Sequence, residues 1–186
     1  MQTDLLNNSE PSPFFQRLYK IAKDKDRANL SSLRKSLGRA EGALLSAYPV
    51  IGSFLPSKQR PWDEAKYILI AGLFASHIDL ENPNLNFKGS FGVSFKNFQK
   101  ACVAESSGAS EGIDKRFSHL LESEGEDLPI RLRHAVSLLK SKCIDIDWPQ
   151  LLKDLIGWGH PDRYVQKQWA RSYWTPSINP EESTAK

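Results

Sequence analysis

The chain has 186 residues, 40% of them apolar and 25% charged, with a formal net charge of +3. That length and mixture suffice for one packed domain or for two small helical lobes with a shared interface, and they exclude a chain disordered throughout. The total charge says little about partners; its distribution says more, because acids gather from Glu122 to Asp127 and at Glu181 and Glu182, leaving helix faces elsewhere more basic.

Residues 1 to 12 are polar and read as a frayed tail. A first helix is predicted from Pro13, with Phe14, Leu18, Ile21 and Ala22 on one side. Asp26 is placed to cap a second helix, in which Leu30, Leu33 and Leu37 share a face while Arg27, Arg34, Lys35 and Arg39 take the rest of the surface. A short helix from Ala40 to Ala47 is expected to stop before Pro49, and residues 52 to 61 read as a loop. From Pro61 to about Ser76 a long helix is expected, with Asp63 and Glu64 in the first turn, where they complement its dipole. Its apolar run, Tyr67 to Ala75, falls well short of the ~20 residues of a membrane span, so it reads as a buried helix.

The Asn- and Gly-rich stretch from residue 81 to 95 is the clearest break in the pattern. Helices are expected to resume from about Ser94 to Glu105, bearing Lys96 and Lys100, and from Ser110 to Glu122. In the latter, Lys115 and Arg116 lie near the start, against the helix dipole. Three further helical patterns are each led by a proline, at Pro129, Pro149 and Pro161, which the first turn tolerates because its N–H groups have no internal partner. The first carries Arg131, Arg133 and Lys140 beside Leu132, Ala135, Val136 and Leu139. The last has Val165, Trp169 and Tyr173 on one stripe and Arg163, Lys167 and Arg171 on another. Residues 176 to 186 read as a second flexible tail. With no alternating strand pattern, the fold class is all-α: a compact bundle of eight or nine helices in two small lobes, 13–92 and 93–175.

Cys102 and Cys143 fit no metal or redox spacing and are expected to be reduced, semi-buried thiols of a cytoplasmic protein; no signal peptide is visible. His77, His119, His134 and His160 stand on separate elements without ligand-spaced companions, and no phosphate loop or nucleophile elbow appears, so neither cofactor nor metal is expected. Asp145, Asp147 and Asp154 suggest a divalent-cation site for phosphodiester cleavage. Capping by Asp147 of the helix led by Trp148 and Pro149 accounts for more of the local sequence. Trp158 and Trp169 lie on apolar stripes and read as core, while Trp174 is the freest ring.

Cationic flanks occur on at least four helices, at Arg27–Arg39, Lys96–Lys100, Arg131–Lys142 and Arg163–Arg171. Each alone is a solvated face; aligned by the fold, several would make a groove for a phosphate backbone. Spacing does not choose between the two.

The run from Asp127 to Trp174 resembles the C-terminal signature of the CasB (Cse2) family, the small subunit of the type I-E CRISPR Cascade effector complex. The resemblance lies in the Leu132-Arg133 pair, the DWPQLLKDLIGW helix and the closing WARSYW motif. It extends to DRANLSSLRKSLGRA, SFGVSF and KRFSHLLES, and so over most of residues 14 to 174; the first and last 12 residues have no counterpart, and 81 to 95 align only roughly.

The resemblance implies a non-catalytic, two-lobed helical protein that occurs as paired copies and touches the backbone and large subunits of an RNA-guided complex. Its basic surface would hold the displaced strand of target DNA and steady the duplex with the crRNA. Arg34 and Lys35 match the family's basic pair in the second helix, Lys115 and Arg116 the pair before FxxLL, and Arg133 the arginine of the LR pair. Arg27 and Arg39 flank the first of these motifs, and Lys96, Lys100, Arg131 and Lys140 join the set through their helix flanks. Exchanging duplex DNA for an RNA–DNA hybrid is nearly balanced in energy, so contacts that retain the expelled strand tip it. The alternative is a helical adaptor that meets only proteins.

Overall fold

The computed structural model describes residues 11–38, 42–56, 61–105 and 110–175. The expectations for residues 1–10, for the tail from 176 to 186 and for Arg39 and Ala40 lie outside them.

Among the described residues there are nine α-helices and no strands: α1 (Pro13–Lys23), α2 (Arg27–Lys35), α3 (Tyr48–Ile51), α4 (Pro61–His77), α5 (Phe91–Glu105), α6 (Ser110–Glu122), α7 (Asp127–Ser141), α8 (Trp148–Gly157) and α9 (Tyr164–Trp174). The all-α class read from the sequence is the observed one. No helix among these residues is long and apolar enough to cross a membrane.

The expected caps form where short side chains precede an apolar pattern. Asp26 accepts the Asn29 N–H at 3.0 Å to open α2, and that bond holds its carboxyl below the usual range. Asp147 accepts the Gln150 N–H at 3.1 Å to open α8 and also receives the N–H of Gly89 at 3.2 Å. The acidic cluster is therefore structural: Asp145 accepts from Asn84 at 2.6 Å, and buried Asp154 accepts from the Trp169 indole at 2.6 Å and from Gln150 at 2.8 Å. No three His, Cys, Asp or Glu among the described residues are grouped to hold a metal ion.

Three expected helix boundaries need correction. Pro49 does not stop a helix: a 3-10 turn over Ala43–Ala47 runs into α3, in whose first turn Pro49 sits, where its missing N–H costs nothing. Pro161 does not lead the last helix but lies in the turn before it, which ends at Arg163 in the left-handed region with φ 50°. Finally, α5 begins at Phe91, so the last five residues of the expected loop are helical. Ser90 starts it, accepting the Val93 N–H on its hydroxyl at 3.4 Å.

One glycine explains that last case. A Cβ on Gly92 would lie 2.2 Å from the carbonyl oxygen of Trp169, so α5 and α9 meet there backbone to backbone. Phe91 then packs on Trp169 with ring centroids 4.8 Å apart, Trp158 meets Trp169 at 4.9 Å, and Phe117 meets Tyr173 at 4.3 Å. Trp169 is fully buried, worth roughly 1.5–3 kcal/mol by apolar burial. Trp174 is half exposed, as its position at the last turn suggests.

Helix α4 runs through the middle and packs on α2, α7 and α8. Phe74 meets Tyr19 of α1 at 6.1 Å and Trp148 of α8 at 5.6 Å. On its α2 side, a Cβ on Gly72 would lie 2.7 Å from the Leu37 side chain and 3.1 Å from the Leu33 carbonyl oxygen. That close approach brings the C-terminal end of α2 against the C-terminal end of α4.

Candidate nucleic-acid interface

The last turn of α4 has carbonyls without helical N–H partners, at the negative end of the helix dipole. Two cations from other helices meet them. Arg34 of α2 donates through Nε to the Ala75 carbonyl at 2.7 Å, and Lys140 of α7 donates to the carbonyl of Ser76. Arg133, one flank with Lys140 on α7, donates through Nη2 to the Leu37 carbonyl just beyond α2, while its buried Nε has no partner among the described residues. These three cations line an open cleft of about 490 Å³, floored by Leu73 and Val136.

Ser137 lies on the rim of this cleft and also on that of a second one, of about 370 Å³, on the opposite flank of α7. Arg116 and His119 of α6 face Arg131 and His134 of α7 across it. The exposed face of α7 thus forms a strip joining two cationic hollows fed by α2, α6 and α7.

Among the described residues, none of these five cations is neutralised by a carboxylate partner. The ion pairs there engage Lys25, Lys66, Lys115, Lys142, His160 and Arg163 instead. Acids do border the region. Asp79 and Asp145 line a neighbouring hollow together with Arg34 and Lys140, and Glu122, Glu124 and Asp127 line another together with His119 and Arg131.

Of the sequence candidates, Arg34, Arg133 and Lys140 come together in one cleft, and Arg116 and Arg131 in the other. The remaining candidates among the described residues do not join them. Lys115 points to Glu111 at 2.7 Å, which answers its unfavourable place near the start of α6 with an i, i+4 pair. Lys96 donates to the carbonyl of Thr175, next to the end of α9. Arg27, Lys35 and Lys100 stand on their helices but line neither cleft.

His119 and His134 were missed by sequence reasoning, because no periodicity relates positions on different helices. His77 is set apart from both. Its Nε2–H donates to the Ile144 carbonyl at 2.8 Å, its ring packs on Trp148, and burial pushes its pKa down. Cys102 is half-buried as expected, whereas Cys143 is exposed, standing in the left-handed region with φ 53° after α7 ends.

These features define a class: a small all-helical protein whose described surface carries unneutralised cations in two adjoining clefts. The chain belongs to the Cse2 family, CRISPR-associated protein Cse2, whose pattern it matches over residues 29–174. It is 31% identical to CRISPR-associated protein Cse2 of Thermus thermophilus over 153 residues, 82% of each chain. Among solved structures, CasB from M. ruber superposes with a TM-score of 0.69 at 28% identity, over 89% of this chain and 94% of that one. CasB from Thermus thermophilus gives 0.67 at 27%, over 89% and 100%. A chain of a CRISPR RNA-guided surveillance complex shares the fold, with a TM-score of 0.65 at 20% identity over 86% and 88% of the two chains.

Proposed function

We propose that this protein is a non-catalytic, nucleic-acid-binding small subunit of an RNA-guided CRISPR effector complex. It holds the displaced single strand of target DNA, and steadies the crRNA–target duplex, through the cationic strip across α7. The observation that carries this reading is the convergence of Arg34, Arg133 and Lys140 on one side of Ser137 with Arg116 and Arg131 on the other, none of them paired with a carboxylate among the described residues. A row of cations tracks a phosphate backbone without reading bases, and its grip weakens with salt as counterions return.

Membership of the Cse2 family and the shared fold of a chain in a solved surveillance complex support assembly with backbone and large subunits and with a second copy of this chain. With residues 13–92 as one lobe and 93–175 as the other, the first cleft lies on their seam, where Arg34 faces Arg133 and Lys140. The work of such a subunit is done in the cytoplasm.

The test is single-stranded DNA binding at two salt concentrations by the full chain and by a variant with Arg34, Arg116, Arg131 and Arg133 replaced by Ala. The expected result is an affinity loss of one to two orders of magnitude and a shallower salt slope, about one unit per lost phosphate contact. Equal affinity and slope in a folded variant would refute the assignment. Competition by an acidic protein but not by an oligonucleotide would favour the adaptor alternative.

A further inference from the structure

The second cleft differs from the first in kind. It lies between α5, α6 and α7, and its lining combines two guanidinium groups, Arg116 and Arg131, with two imidazoles, His119 and His134, and with apolar carbon from Phe95 and Leu138. No carboxylate among the described residues lines it. The acids nearby, Glu122, Glu124 and Asp127, line a separate hollow beyond His119 and Arg131, so an anion is favoured on the inner side and repelled from the outer one. At about 370 Å³ it lies at the small end of the range of ligand sites. A hollow made only to attract a phosphate chain needs neither imidazole rings nor an apolar back.

We infer that this cleft seats one nucleotide of the bound strand, with Arg116 and Arg131 holding its phosphate and the unstacked base lying against the imidazoles of His119 and His134 and the Leu138 side chain. The inference rests on the strand-holding reading and refines it: the open cleft at Arg34, Arg133 and Lys140 attracts backbone, and the hollow across Ser137 anchors it at one fixed point. Guanidinium groups bind phosphate by paired N–H donors, and imidazole rings are flat enough to stack on a base. Since neither requires a particular base edge, the seat tolerates any sequence.

The experiment is an NMR titration of the full chain, following the ring signals of His119 and His134, with thymidine 5′-monophosphate and with inorganic phosphate. The expected result is a saturable shift of both histidines with the nucleotide and an affinity about tenfold weaker for inorganic phosphate, the loss that follows when no base stacks. The shift should vanish in Arg116→Ala/Arg131→Ala and persist in Arg34→Ala/Lys140→Ala. Unmoved histidine signals in the wild-type chain would overturn the seat, and equal affinity for inorganic phosphate would overturn the place given to the base. The two readings fail separately. Salt-dependent binding of a long single strand with silent histidines removes the seat alone, whereas nucleotide binding without any strand binding removes the strand-holding reading.

Discussion

Arg34 and Lys140, one from α2 and one from α7, donate to the neighbouring carbonyls of Ala75 and Ser76 at the end of α4. Both charges therefore serve the helix end and face the cleft together. Arg34→Ala should cost about 0.5–1.5 kcal/mol in urea unfolding, the net worth of one such bond. It should also lower single-strand affinity and reduce the salt slope by about one. Arg34→Lys, which keeps the charge but loses the Nε geometry, is expected to retain most of the slope.

Adjacent cations on α6 should behave differently. Lys115 is engaged by Glu111 on the exposed side of the helix, and Arg116 lines the second cleft. Lys115→Ala should leave strand binding unchanged, and stability too within about 0.5 kcal/mol. Arg116→Ala should weaken binding several-fold. Filter-binding or anisotropy measurements on the two single variants check this.

Gly92→Ala places a methyl 2.2 Å from the Trp169 carbonyl oxygen, with backbone on both sides and no flexible side chain to yield. The expected loss is about 3 kcal/mol or more, read from the denaturant midpoint. The near-ultraviolet signal of the Phe91–Trp169 contact should change with it. Gly112→Ala, in α6 with nothing within 4 Å of the added carbon, is the unstrained control and should be neutral or stabilising by up to about 1 kcal/mol.

Asp154 is buried beneath Trp169, and burial raises its pKa. Asp154→Ala leaves the Trp169 indole N–H and the Gln150 amide without their acceptor and should cost about 1–3 kcal/mol. Asp154→Asn, which keeps one acceptor oxygen, should cost less. Magnesium should not move the unfolding midpoint of either variant or of the wild-type chain.

The pKa of His77 is lowered in the folded chain by burial, so between its ordinary value of 6.5 and that lower value the unfolded chain holds a proton that the folded chain does not. Stability is therefore full above pH 6.5 and falls as pH drops below it. Urea midpoints at about pH 7.5 and about pH 5 should show the drop, and His77→Gln should reduce it. Asp26, whose pKa is lowered mainly by the Asn29 N–H, adds a separate loss only at still more acid pH.

What the sequence made legible was local. Asp26 and Asp147 announce their helices because a carboxylate one residue ahead of an apolar pattern has a specific task. Val165, Trp169 and Tyr173 are buried as their spacing implies. Reading fails where the cause lies on another element. The glycine that makes residues 89 to 92 look like loop is required by Trp169, far along the chain. Pro49 and Pro161 stand at helix boundaries whose direction, into or out of a helix, a proline alone does not state. At the interface the sequence supplied the cations but not their company. Lys96 and Lys115 are indistinguishable in pattern from Arg116 and Arg133, and only the packing of α6 on α7 and the meeting of α2 and α7 side chains over the end of α4 sort them. His119 and His134 had no signal at all.

The cations of the first cleft are steadied by main-chain oxygens. A carboxylate in that position would have fixed the side chain and cancelled it; a carbonyl fixes it and leaves the full charge outward. Rotamer freedom is thus surrendered as the chain folds, before any strand arrives, and the donors wait already aimed. The signature of such preorganisation is kinetic: capture should be fast and limited by encounter, with little ordering left to complete afterwards.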